Sequence, residues 1–304
     1  MLKIIRSDEP ITVGPLVICI YGPPGAGKTS LGYSASKPLL LDFDRGAHRA
    51  VSRKDTVQIE SWADLESMTQ TDLEGYDTIV VDTVGRALDY LSTYIVSKNP
   101  KLGTAAGGLT LQGYGELKNR FSAWVKTIRS YGLDLVMVAH SDEQHKGDDL
   151  IERIDAQGSS KNEIYKVSDL MARLKVEPGS QMPVLTFSPS DTSFGKDPAG
   201  FGKLQVPDLT SGKPFLGSLL DKARDHMNAM SEEQKARESK IAEWADAAED
   251  ATSVDEINQL VADTSKADKS IQAQAKRAVA DRAKELGFVF VKGAGYSEQE
   301  KAAE

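Results

Sequence analysis

The most constraining stretch of this chain is a continuous apolar run, Leu16 to Tyr21 (LVICIY), that passes directly into Gly22-Pro23-Pro24-Gly25-Ala26-Gly27-Lys28-Thr29-Ser30. An uninterrupted apolar run of this length fits a strand buried on both faces, as in a parallel sheet. The segment after it satisfies G-x-x-x-x-G-K-[ST] at every position and predicts a helix that starts at Gly27 and stops before Pro38. Glycines let the backbone curl so that successive N–H groups point inward at an anion, and a helix N-terminus adds the positive end of its dipole. In such a cradle Lys28 supplies a mobile cation to the β/γ-phosphates and the Thr29 hydroxyl ligates magnesium. ATP with Mg2+ is therefore the expected ligand, held by Gly22 to Ser30.

Other apolar runs continue the pattern. Leu39 to Leu41 leads into Asp42-Phe43-Asp44, Ile79-Val80-Val81 is closed by Asp82, and Leu133 to Ala139 (LDLVMVA) precedes His140. Between them, Ser61 and Asp64 have capping-box spacing, and Leu117, Phe121, Trp124, Val125 and Ile128 recur at helical spacing over about 113–131. Strands alternating with helices predict an α/β fold with a mainly parallel sheet covered on both faces. Val184 to Phe187 and Leu204 to Val206 are expected as an antiparallel extension of that sheet. From about 230 the composition turns to Ala, Glu, Lys and Asp. Capping-box pairs Ser231/Gln234 and Ser253/Glu256, with Gly287 as a C-cap, predict a small domain of three helices. The expected division is 1–228, 229–290, and a tail 291–304 that frays from Ser297 to Glu304.

At the strand ends, Asp82 is the candidate second magnesium ligand, because a carboxylate there can hold the ion through its water shell. Its neighbour is Thr83 rather than a glutamate, so the base that aligns the attacking water must come from elsewhere. Asp44 is the candidate base; the alternative is a turn carboxylate balanced by Arg45. Asp42 or a neighbouring subunit's residue is the fallback. His140, at the carboxyl end of its strand, is placed to bond the γ-phosphate or its water, or simply to bond backbone.

The net charge of −8 over 304 residues leaves no general basic footprint, so any nucleic-acid contact must be local. Cys19 is the only cysteine, which excludes an intrachain disulfide and a cysteine-built zinc site, and fits a reducing cytoplasm. No apolar run is long enough to span a bilayer, and Arg6, Asp8 and Glu9 interrupt any signal-like region.

The segments IYGPPGAGKTS, LLLDFDRGAHR, YDTIVVDTVGRAL, LQGYGELKNRF and LVMVAHSDEQ, in this order and spacing, resemble the RecA-like P-loop ATPases encoded by phages, including their RecA-type single-strand annealing proteins. The resemblance covers roughly 15–225. It implies a three-layer RecA-like fold, homo-oligomers in rings or filaments, ATP hydrolysis, and two mobile DNA-contacting loops. The family's usual base is a glutamate at the position of Asp44. By position, the first DNA loop falls before the helix at 113 and the second over Ser141 to Tyr165. The residues give the first some support: from Ser97 to Arg129 six basic side chains, Lys98, Lys101, Lys118, Arg120, Lys126 and Arg129, face Glu116 alone. The Gly-rich segment Leu102 to Gly115 would be disordered without ligand, and Tyr114 would offer a ring for base stacking. Lys98, Lys101, Tyr114 and Lys118 are thus the candidate DNA contacts; the bland reading is a flexible loop followed by a solvated helix face. In the second loop, acids such as Asp142, Glu143 and Glu152 outweigh the bases, and Lys161 and Lys166 would instead reach a neighbouring subunit's nucleotide.

The expected function is an ATP-dependent protein acting on single-stranded DNA in phage recombination or replication. Two alternatives stand beside it: an annealing protein that scarcely turns over nucleotide, and a P-loop motor or loader that docks protein partners through its C-terminal helices. A small-molecule kinase is disfavoured by the lack of an Arg-rich lid.

Overall fold

The structure is a computed structural model that describes residues 12–146, 149–156, 160–177, 182–190, 193–291 and 295–298. The acidic and basic residues at 6–9 and the tail residues 299–304 lie outside the described residues. The chain divides into two compact units, Val13–Met227 and a second formed mainly by Asn228–Glu304.

In the larger unit β1 (Val17–Gly22) leads into α1 (Lys28–Tyr33), β2 (Pro38–Asp42), β3 (Thr56–Gln58) and α2 (Trp62–Ser67). Then come β4 (Thr78–Asp82), α3 (Val84–Lys98), α4 (Leu111–Ser130), β5 (Asp134–Lys146), β6 (Asp149–Ile154) and α5 (Ser160–Val167). The sheet is completed by β7 (Leu170–Val176), β8 (Pro183–Thr186) and β9 (Lys203–Gln205). Its strand order is β3-β2-β4-β5-β1-β7-β8-β9, with β6 paired to the far end of β5. From β3 to β7 all neighbours are parallel, and β8 and β9 add on antiparallel. This is an α/β RecA-like architecture, a mixed, mainly parallel sheet between two layers.

The apolar runs are continuous because each strand feeds two cores. Val17, Cys19, Tyr21, Val81 and Met137 face α2 to α5 and pack with Trp62, Leu91, Phe121 and Trp124. Ile18, Ile20, Leu40, Val80, Val136 and Val138 face the other way, onto Leu31 of α1 and Leu216, Leu219 and Leu220. These last residues open α6 (Phe215–Asp250), a helix of 36 residues. Asp134, at the start of β5, ties this layer down: both its oxygens accept from Arg224 of α6 at 2.7 Å, and Oδ1 also accepts from Leu16 N at 2.7 Å.

α1 stops before Pro38, as expected; it ends at Tyr33, where Ser34 is drawn into tertiary bonds: its Oγ donates to Leu31 O and accepts from Leu216 N. Other expectations are corrected. The segment after His140 is not a mobile loop. β5 runs on to Lys146 and folds back as a hairpin with β6, Ser141 opposite Ile154, and α5 follows; residues 147–148 and 157–159 within it lie outside the described residues. Leu102 to Gly115 is also ordered: Thr104 N bonds to Gly108 O at 2.8 Å, Thr110 N to Leu102 O at 2.8 Å, and α4 begins at Leu111. β7 is a strand that the apolar runs do not announce.

The smaller unit contains the distal part of α6, then α7 (Val254–Thr264), α8 (Gln272–Glu285) and a hairpin of β10 (Phe288–Val291) and β11 (Gly295–Glu298). The Ser253/Glu256 capping box starts α7, whereas Ser231/Gln234 starts nothing, since α6 runs through it without a glycine or proline between Gly217 and Gly287. Gly287 follows α8 at φ 78°, the left-handed conformation of a helix terminus. Residues 295–298, expected within the tail and frayed from Ser297 on, form a strand in which Asn258 binds both backbone groups of Tyr296, at 2.9 and 2.8 Å. Among the described residues no helix is long and apolar enough to cross a membrane.

Replacing Asp134 with alanine should orphan Leu16 N and the Arg224 guanidinium and cost about 2–3 kcal/mol. The urea midpoint of the purified variant measures it.

Candidate nucleotide site

Every strand that points a polar group at the cradle does so from its carboxyl end, where open α/β sheets bind ligands. The parallel register sets the depth. Gly22 lies opposite His140, while Asp82 lies opposite Val138 and Asp42. Gly22 admits no side chain, since a Cβ would stand 2.1 Å from the Leu174 carbonyl oxygen. Beyond it the loop curls through Gly25 (φ 78°) and Gly27 (φ 91°), which take left-handed conformations.

Lys28 is buried and folded back on its own loop, its Nζ donating to Gly22 O at 2.9 Å and Pro23 O at 2.8 Å. Burial lowers its pKa, while Asp82 and Asp44 pull it back up. The Thr29 hydroxyl and the Asp82 carboxylate line the same cleft, and Asp82 is itself buried, which raises its pKa against the pull of Thr29. Two hard oxygen donors side by side suit a magnesium ion that completes its shell with phosphate and water. No cluster of three or more His, Cys, Asp or Glu placed for a metal occurs among the described residues. Ser30 faces the roof of the cleft, where its Oγ accepts from Val51 N at 3.1 Å.

The tip of β2 separates two carboxylates by role. Asp42 is buried and holds the following turn, accepting from Gly46 N at 3.0 Å and Ala47 N at 3.1 Å. With both oxygens engaged it is no candidate base. Asp44 faces the cleft, with Oδ2 3.6 Å from His140 Nε2 and Oδ1 3.3 Å from Arg86 Nε. Bonding to His140 lowers its pKa most, and Thr83 and Arg86 add to this against some burial. The arginine that balances Asp44 is thus Arg86, not Arg45, which lies 3.9 Å from Glu60. His140 also accepts Asp155 N at its carbonyl (2.9 Å), and its buried Nδ1 has no hydrogen-bond partner among the described residues.

Pro24, Gly25, Gly27, Lys28, Thr29, Ser30, Asp44, Asp82 and His140 line one cleft of about 450 Å³, together with Gly46, Arg49 and Ala50. A larger groove of about 710 Å³ runs along Met230 to Ile241 in the smaller unit, but it has no such cradle. Sequence reasoning missed Arg49 and Arg86. Arg49 reaches the cleft only because Asp42 sets the turn before it; Arg86 lies in the first turn of α3, and no spacing marks it.

The candidate DNA residues fall elsewhere. Lys98 ends α3 with its Nζ 5.2 Å from the Tyr94 ring centroid, and Lys101 is exposed in a one-turn 3-10 helix, Pro100–Leu102. Tyr114 is half-buried against the core rather than free, and Lys118 pairs with Glu163 at 3.8 Å.

A buried parallel strand, a glycine cradle with its lysine, and an adjacent Thr–Asp pair define a P-loop nucleotide-binding protein of the ATPase-like kind. A family model described as an AAA domain matches residues 14–199, and the chain belongs to that family. It is 28% identical over 141 residues to the SPbeta prophage-derived uncharacterized protein YorG of Bacillus subtilis (strain 168), a match covering 43% of this chain and 42% of that protein. The chain thus spans under half the length of that relative. The crystal structure of the RadB recombinase aligns with 60% of this chain and 85% of its own at 14% identity, but a TM-score of 0.34 is too low to carry an inference.

Lys28→Ala should keep the fold and weaken Mg-ATP binding by about ten- to a hundredfold, the worth of hydrogen bonds to a charged group. Equilibrium binding of a fluorescent ATP analogue, with circular dichroism as the folding control, measures it.

Proposed function

We propose that this protein binds ATP with Mg2+ in the cleft around Lys28 and hydrolyses it. The observation that carries the reading is the convergence of Lys28, Thr29, Asp82, Asp44 and His140 on one cleft from three neighbouring strand ends and one loop. Lys28 leaves the carbonyls of its own loop for the β/γ-phosphate oxygens, which suit a cation better than neutral carbonyls do. Thr29 and Asp82 would hold a magnesium ion, which would supply neutralising charge to the phosphates. Asp44 takes the proton of the attacking water, and His140 bonds the γ-phosphate or that water. A lowered pKa makes Asp44 a weak base, which favours slow turnover.

The partner we propose is single-stranded DNA, in phage recombination or replication, with the protein working as a homo-oligomer. Support comes from the basic residues between Lys98 and Arg129 and from a prophage-derived relative. The competing reading is a motor acting on proteins, favoured by the net charge of −8.

ATPase assays with and without single-stranded DNA test both readings. DNA should raise the rate, and Asp44→Asn should cut turnover by about a hundredfold or more while ATP still binds. Removing Lys98 and Lys101 together should lower the slope of log K against log salt by about 0.7 for each phosphate that is no longer neutralised. An unchanged slope and affinity would leave the protein-directed motor as the better reading.

A further inference from the structure

Arg86 has a position that neither the cradle nor the magnesium pair requires. α3 begins two residues after Asp82, and its start is pressed against the chain leaving β6, since a Cβ at Gly85 would stand 2.7 Å from Asp155 O. That close approach sets where the next residue emerges. The Arg86 guanidinium then bridges two carboxylates, Nε to Asp44 Oδ1 at 3.3 Å and Nη1 to Asp89 Oδ2 at 3.5 Å. Asp89 is held on the same helix and anchors the arginine; Asp44 lines the cleft.

The charges explain why a cation is needed there. Asp44 and Asp82 line the same cleft as Lys28 and the glycine cradle, so both stand near the place of the terminal phosphates. A magnesium ion would offset Asp82. Nothing bound with the nucleotide offsets Asp44, and its other neighbour, His140, is a neutral ring unless protonated. An unbalanced carboxylate at that end of the cleft repels the γ-phosphate far more than the β-phosphate, because the repulsion falls with distance.

We propose that Arg86 is a positioning residue that neutralises Asp44 and thereby sets the preference of this cleft for ATP over ADP. The inference rests on the nucleotide reading above and adds to it a residue that never needs to touch the phosphates. Its effect passes through Asp44: with the pair intact, the γ-phosphate meets a neutral ion pair; without Arg86 it meets a bare carboxylate.

The test is equilibrium binding of Mg-ADP and of the non-hydrolysable Mg-AMP-PNP to the full chain, so turnover is not required. Because Arg86 is largely exposed and solvent screens the pair, Arg86→Gln should weaken AMP-PNP by about three- to fivefold while ADP stays within about 1.5-fold. Arg86→Lys, which keeps the charge, should stay near the parent. In the Asp44→Asn background, Arg86→Gln should leave the AMP-PNP to ADP ratio where Asp44→Asn alone puts it. Equal loss of both nucleotides in Arg86→Gln would mean a structural role and overturn the proposal, as would no loss at all. A double variant that still discriminates like Arg86→Gln alone would also overturn it, by separating Arg86 from Asp44. If the folded parent bound neither nucleotide, both the function and this inference would fall; if it bound them and only the Arg86 results differed, the inference alone would.

Discussion

The end of β1 is where this structure has least freedom. The strand is parallel to β5 on one side and β7 on the other, and its last residue lies between His140 and the carbonyl of Leu174 with no room for a side chain. The chain leaving this place turns tightly with left-handed backbone, which glycines at 25 and 27 permit. The cradle follows from this confinement. Lys28, swept inward by the same turn, is buried and satisfied by Gly22 and Pro23 carbonyls until a stronger acceptor arrives.

Around that point the electrostatics are arranged in opposition. Burial pushes Lys28 down and Asp82 up, each toward its neutral form, while hydrogen bonding to His140 pulls Asp44 the other way, toward its charged form. A cleft that holds carboxylates for a metal and for water must still admit a polyanion. The cations within reach, Lys28, Arg49 and Arg86, come from three different segments. The balance is thus a property of the fold rather than of any one motif.

The smaller unit obeys a different logic. Its core is slight, centred on Ala248, Ile257, Val279 and Ala283, and a hairpin pinned by Asn258 completes it. The hairpin keeps Val289, Phe290 and Val291 partly in solvent. With so little apolar area to bury, directed hydrogen bonds such as those of Asn258 carry more of its definition than packing does.

What the sequence determined by itself was local in origin. The apolar runs at 16–21, 39–41, 79–81 and 133–139 could only be buried strands, and the glycine spacing after the first could only be a tight turn into a helix. The Ser253/Glu256 cap and the Gly287 terminus were legible for the same reason, since each acts within one helical turn. The tertiary structure decided whatever depended on a distant partner. It stopped α1 at Ser34 through Leu216 and closed the segment after His140 into a hairpin. It also matched Asp44 with Arg86 and His140 instead of Arg45, and committed Asp42 to its own turn. Helical and strand periodicity are written into neighbouring residues, but which charge meets which is set by sheet register, and register is a pairing of residues far apart in the chain.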